Sequence, residues 1–186
     1  MVFGSGSKTT LLFMLILCAA ATHAQIVDID AVANCPLGNA LQLPLTAGAY
    51  NVTQIDTNGG GAFTAWNAWG FVGGCDPQGA NCTNGWLTSY RIVSADVPDD
   101  GYGGGIYETA ELAFQNEAEN ASFVLPTDQT VSFYIGDSNC GDNLGGVSLE
   151  IAPGQVPTMP AGGMALLAML LLALGSWLVS RRRSTS

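Results

Sequence analysis

The stretch "DSNCGDNLGG" (residues 137–146) places Asp137, Asn139, Asp142 and Asn143 within one short turn. Carboxylate and amide oxygens packed this closely suit Ca²⁺, which takes six to eight oxygen ligands and accepts side-chain amides and backbone carbonyls beside carboxylates. Asp137, Asn139, Asp142 and Asn143 together could supply several of those oxygens. The turn is not an EF-hand loop, because the twelfth position counted from Asp137 is Ser148, where a bidentate Glu should stand. The same letters also suit a plain turn, since Asn and Asp cap turns with their own side chains and tolerate left-handed backbone. A second chemistry lies in "AWNAWGFVGGCDPQGANCTNGW", whose Trp66, Trp69 and Trp86 are candidate carbohydrate-binding residues. Indole faces stack against the C–H faces of sugars. Trp66 and Trp69 differ in strand parity, so at least one of them should point into the core.

Other chemistries are poorly supplied. All 15 acidic residues lie between Gln25 and Gln155, where Arg91 is the one base, a net charge of −14. Phosphate binding needs a basic patch, so no nucleic-acid partner is expected. The same segment has no His and no Lys, and the single histidine is His23. Without an imidazole or amine the usual nucleophile and base pairs cannot be assembled, and no enzyme activity is expected. Asp99, Asp100, Glu108 and Glu111 leave a carboxylate pair for glycoside hydrolysis formally open.

The elements that must position these residues read as strands. Leu41, Leu43 and Leu45 share a face, followed by Tyr50 and Val52. "SYRIVSADV" continues the period of two, and Val131, Phe133 and Ile135 are matched after a loop by Val147, Leu149 and Ile151. That last pair reads as a hairpin. "YETAELAFQNEAEN" is rich in Ala and Glu, but its Ala110, Leu112, Phe114 alternation favours a strand. Residues 25–153 thus form one all-β domain, an antiparallel β-sandwich of the jelly-roll kind. Cys35, Cys75, Cys82 and Cys140 allow three pairings; the Pro- and Gly-containing loop "CDPQGANC" favours Cys75 with Cys82, which leaves Cys35 with Cys140. A zinc site is disfavoured because no CxxC knuckle exists.

The two ends describe an exported chain. Residues 1–24 read as a signal peptide: Lys8, an apolar stretch too short to span, and small residues at Thr22 and Ala24 for signal peptidase. Residues 154–186 hold an extended Pro/Gly linker, the motif Val156, Pro157, Thr158 and Met159, an uninterrupted apolar segment over 161–180, and Arg181, Arg182 and Arg183. The segment is long enough for a transmembrane helix across the inner membrane, and the arginines act as a stop-transfer signal that keeps the C-terminus inside. "NVT", "NCT" and "NAS" at Asn51, Asn81 and Asn120 would accept glycans only in a eukaryotic host.

Two resemblances attach to these residues. The tail resembles the C-terminal sorting signals of exosortase substrates in Gram-negative bacteria, of the PEP-CTERM-related type whose motif reads Ile-Pro-Thr-Leu (IPTL-CTERM), with Val156 and Met159 here in place of Ile and Leu. The resemblance implies cleavage near the motif by a membrane-embedded exosortase, after which the protein leaves the inner membrane for the cell surface or extracellular matrix. An ordinary single-span anchor is the competing reading. The ectodomain loop resembles the calcium loop of small bacterial galactose-specific lectins, which are β-sandwiches. That resemblance implies a calcium cofactor bound by Asp137 at the loop Asp, by Asp142 and Asn143 at the paired amides, and by the backbone carbonyl of Phe63, six residues before Trp69-Gly70. The lectins' mid-loop Thr has no counterpart. An extracellular polysaccharide is the implied partner, and a structural surface protein without a ligand is the alternative.

Overall fold

The structure, a computed structural model, describes residues 23–154; the expected signal peptide apart from His23 and Ala24, the VPTM motif, the apolar segment and the arginine tail lie outside them. Among the described residues no helix is long and apolar enough to cross a membrane. The chain forms β1 (Gln25–Asp30), β2 (Leu41–Leu45), β3 (Gly48–Ile55), β4 (Trp66–Asn67), β5 (Trp86–Leu87), β6 (Tyr90–Val93), β7 (Asp100–Tyr102), α1 (Ala110–Glu117), β8 (Ala121–Leu125), β9 (Gln129–Tyr134) and β10 (Leu144–Pro153). The described residues form an all-β domain with one α-helix, and every strand pairing among them is antiparallel.

Two sheets divide the strands. In one, β10 pairs with β1 and β3, β3 continues to β8, and the first residues of β10 pair with the short β4–β5 ribbon. In the other the order is β2-β9-β6-β7. The period-two alternation works as expected: Val27 and Ile29, Tyr50 and Val52, Phe123 and Leu125, and Val147, Leu149 and Ile151 from the first sheet meet Tyr90, Ile92, Val131 and Phe133 from the second in one buried cluster. Tyr50 and Phe123 stack within it at 5.5 Å between ring centroids.

Two expectations need correction. The segment around Ala110 to Phe114 is a helix, because Thr109 sits in extended backbone at the N-cap and its hydroxyl accepts the Leu112 amide at 3.1 Å, with Glu111 in the first turn. Only Ala113 is fully buried from that helix, so the alternation of Ala110, Leu112 and Phe114 marked no sheet face. The second correction concerns β9 and β10, which are not a hairpin: β9 pairs with β2 and β6 in one sheet while β10 lies in the other. The connection 135–143, which holds the candidate calcium ligands, therefore crosses from one sheet to the other.

Both disulfides are formed as expected, Cys35 with Cys140 and Cys75 with Cys82. The first ties the segment after β1 to the crossing connection. The second closes a loop that Asp76 fills, its Oδ1 accepting the amides of Gln78 at 3.0 Å and Ala80 at 2.9 Å and its Oδ2 accepting Asn81 Nδ2 at 2.7 Å. The Ala80 and Asn81 bonds hold the Asp76 carboxyl below its usual pKa.

Candidate functional site

The 137–143 connection is anchored from three sides. Ile135 is fully buried and its amide donates to Asn34 O at 3.0 Å, Cys140 is bonded to Cys35, and Asn143 is buried where β10 begins. A 3-10 turn, Cys140–Asp142, lies between these anchors. β10 can start there because Gly145 adopts a positive φ of 77° and a Cβ on Gly146 would run into Ile29 O and the Phe63 ring. Gly145 is thus required by its left-handed backbone and the approach of Ala65 O, and Gly146 by the approach of β1 and Phe63.

Within the connection, Asp137 Oδ1 accepts the Ser138 amide at 2.6 Å and Asp142 Oδ2 accepts Asn139 Nδ2 at 2.7 Å. Asn143 behaves differently. Its Nδ2 donates to Ala31 O at 2.9 Å, while its Oδ1 is the one buried side-chain polar atom among the described residues with no hydrogen-bond partner. A buried acceptor left without a donor or cation costs about 1–3 kcal/mol. No three of His, Cys, Asp and Glu converge as a metal centre among the described residues. What the connection offers is two carboxylates, the Asn143 amide oxygen and backbone carbonyls.

Phe63 stands elsewhere. Its amide donates to Ser148 Oγ at 2.9 Å, and Ser148 in turn donates to Asp28 Oδ1 at 2.6 Å, which also accepts the Ala62 amide. This fixes the Phe63 backbone opposite Ser148, five residues beyond Asn143, with the Phe63 ring against Gly146. The chain that approaches the connection is the turn at Gly70, where a Cβ would lie 3.8 Å from Asp142 O. Asn67 builds that turn: it is 2 % exposed, its Oδ1 accepts the amides of Trp69 at 2.8 Å and Gly70 at 3.0 Å, and its Nδ2 donates to Phe71 O at 3.3 Å. The spacing Asn67 to Gly70 was the available signal for this turn.

The tryptophans separate. Trp66 is buried at 3 % and donates its indole N–H to Ser89 O at 2.9 Å, so it belongs to the core and not to a ligand surface. Trp69 and Trp86 are half-buried, and Trp86 exchanges both backbone hydrogen bonds with Tyr107. The aromatic ring that faces solvent is Phe71, 57 % exposed. Val32, Leu37, Val72 and Leu144 are exposed with it. All five sit in segments joined by Cys35–Cys140, by Asn143 to Ala31 and by the Asn67–Leu144 pairing. The segments tied to the acidic turn at this end of the domain thus carry exposed apolar side chains, as do β1 at Ile26 and β8 at Val124.

Arg91 offers no anion site at that end. Its Nε donates to Asp99 Oδ1 at 2.9 Å and its Nη2 to Asp99 O at 2.8 Å. The Arg91 hydrogen bond first, and the Tyr134 hydroxyl second, hold the Asp99 carboxyl below its usual pKa. In comparisons with known proteins, the chain matches no family model, no curated protein and no solved structure.

Proposed function

We propose that this protein is an exported, exosortase-processed component of a Gram-negative cell surface or extracellular matrix, and that its ectodomain binds carbohydrate with the help of calcium. The observation that carries the reading is the Asn143 amide oxygen, buried and unpartnered between Asp142 and the start of β10. A cation held by that oxygen, Asp142 and Asp137 satisfies it and leaves coordination positions open for vicinal sugar hydroxyls. Phe71, beside this turn, supplies the exposed ring for the apolar face of a sugar, with Trp69 and Trp86 half-buried behind it. The sandwich is read as a jelly roll, which the pairing order supports: without the β4–β5 ribbon, the orders are β1-β10-β3-β8 and β2-β9-β6-β7, and the chain changes sheet at every step except the β6–β7 hairpin. Signal peptidase, exosortase and the inner membrane are the partners in export.

The alternative is a structural surface protein with no small ligand, held permanently by its C-terminal helix. It is favoured by the bonds that Asp137 and Asp142 already make to Ser138 and Asn139, which are those of a self-sufficient turn.

Calcium titration of thermal stability decides between the two. Ca²⁺ at 100 times its Kd is expected to add about 2.7 kcal/mol, and a chelator to remove it. Asp137→Ala and Asp142→Ala should abolish the shift, and Asn143→Ala should weaken it. A melting temperature indifferent to calcium and chelator leaves the structural reading.

Export makes a separate prediction. Intact mass of protein recovered outside the inner membrane should lack the apolar segment and the three arginines, because a helix of about 20 apolar residues does not leave the bilayer. Replacing Pro157 and Thr158 by Ala should trap the full-length chain in the inner membrane. A mature mass that retains the arginines, in cells that contain an exosortase, overturns the sorting signal.

A further inference from the structure

A second cleft lies away from the calcium turn, between α1 and the loop that joins β3 to β4. Its volume is about 210 Å³, and its walls include Asp56, Asn58 and Thr64 on the loop side and Glu111, Phe114 and Gln115 on the helix. Glu111, Phe114 and Gln115 are spaced i, i+3 and i+4, so one helical face presents a carboxylate, a phenyl ring and an amide together. Glu111 and Gln115 are exposed and Phe114 is half-buried.

Both walls are rigidly held. Asp56 organises the loop, accepting the Gly59 amide on Oδ1 at 2.8 Å and Asn58 Nδ2 on the other oxygen at 2.9 Å, and its backbone carbonyl accepts the amides of Gly59 and Gly61. The helix is capped by Thr109 at one end. At the other, Thr88 Oγ1 donates to Glu117 O at 2.9 Å and the Tyr107 hydroxyl donates to the Glu117 side chain at 2.8 Å. The backbones of both walls are thus set before a ligand enters, and the exposed Glu111 and Gln115 side chains are what binding must order.

The lining selects the ligand. No Lys or Arg borders the cleft, so nothing there attracts an anion. The Asp56 oxygens are engaged by their own loop, which leaves Glu111 as the one exposed carboxylate of the helix face. A lone acceptor beside an amide that both donates and accepts fits a pair of neighbouring hydroxyls, and a phenyl ring next to them fits an apolar C–H face. We infer that this cleft binds one neutral sugar ring of a polysaccharide, with Phe114 as the stacking surface and Glu111 and Gln115 as the hydroxyl partners, without calcium. The inference does not rest on the calcium reading; where that reading also holds, the two sites combine weak contacts to one glycan strand into avidity.

The test uses the full-length protein in a zwitterionic, sugar-free detergent with EDTA present. Saturation-transfer NMR and calorimetry are run with galactose, glucose, mannose and N-acetylglucosamine, and with choline as a cationic probe. At least one sugar is expected to bind saturably at millimolar Kd. Phe114→Ala should weaken it by about tenfold or more. Glu111→Gln and Gln115→Ala, both at exposed positions, should weaken it with unchanged circular dichroism, which covers the case in which Phe114→Ala unfolds the helix. Asp142→Ala should have no effect. Choline binding without sugar binding, no saturable sugar in EDTA, or sugar binding that none of the three helix variants alters would each overturn the inference. Sugar binding that appears only with calcium and vanishes in Asp142→Ala would overturn it too, while supporting the calcium site.

Discussion

Replacing Cys35 and Cys140 together by Ser is expected to destabilise the domain by about 4.8 kcal/mol, the chain-entropy cost of opening a loop of this length. The bond joins residues 105 apart in sequence, so its loss releases nearly the whole domain in the unfolded state. Cys75 and Cys82 are 7 apart, and their replacement should cost about half as much, ~2.4 kcal/mol on the same relation. Urea denaturation of the two double variants against wild type measures both. Equal losses would show that the long bond acts by local packing and not by constraint of the unfolded chain. The larger loss should also have a local consequence, because Cys140 stands between Asp137 and Asp142. Calcium stabilisation should therefore fall with Cys35 and Cys140 and be retained with Cys75 and Cys82.

Phe133→Ala should cost about 3–5 kcal/mol, the usual range for removing a fully buried phenyl ring. Phe133 is fully buried in β9, paired on one side with Leu41 of β2 and on the other with Ile92 of β6, so its ring meets the opposite sheet at the centre of the second sheet's inner face. β9 is held by ladders to β2 on one side and β6 on the other, which limits how far the cavity can collapse. Phe71→Ala is the matched control: an exposed ring should change stability by less than about 0.5 kcal/mol. Chemical denaturation gives both values. If the two losses were similar, Phe133 would not be a core residue of a cooperative sandwich. Under the proposed function Phe71→Ala should instead reduce calcium-dependent sugar binding, so the two phenylalanines divide stability from recognition.

Residue pattern alone determined the β character of the domain and the inward faces of its strands, because a period of two places Tyr50 with Val52, and Val147 with Leu149 and Ile151, on one side whatever the strand's partner. Cysteine count and the short Pro- and Gly-containing loop were enough to rank the disulfide pairings. The asparagine and aspartate letters of 137–143 marked a turn. Partner choice was decided only in three dimensions. Alternation tells which face of β9 and β10 is buried but not which sheet either joins, since that depends on closing ladders with distant strands, as far apart as Gln25 and Ile151. The same holds for α1, where one capping hydroxyl on Thr109 outweighed a three-residue alternation. It holds for the aromatics as well: Trp66 went to the core, Phe71 to the surface, and Phe63 to Ser148 in the middle of β10. The unpartnered oxygen of Asn143 and the cleft between Glu111 and Asp56 exist only because distant segments meet, and no local spacing encodes such a meeting.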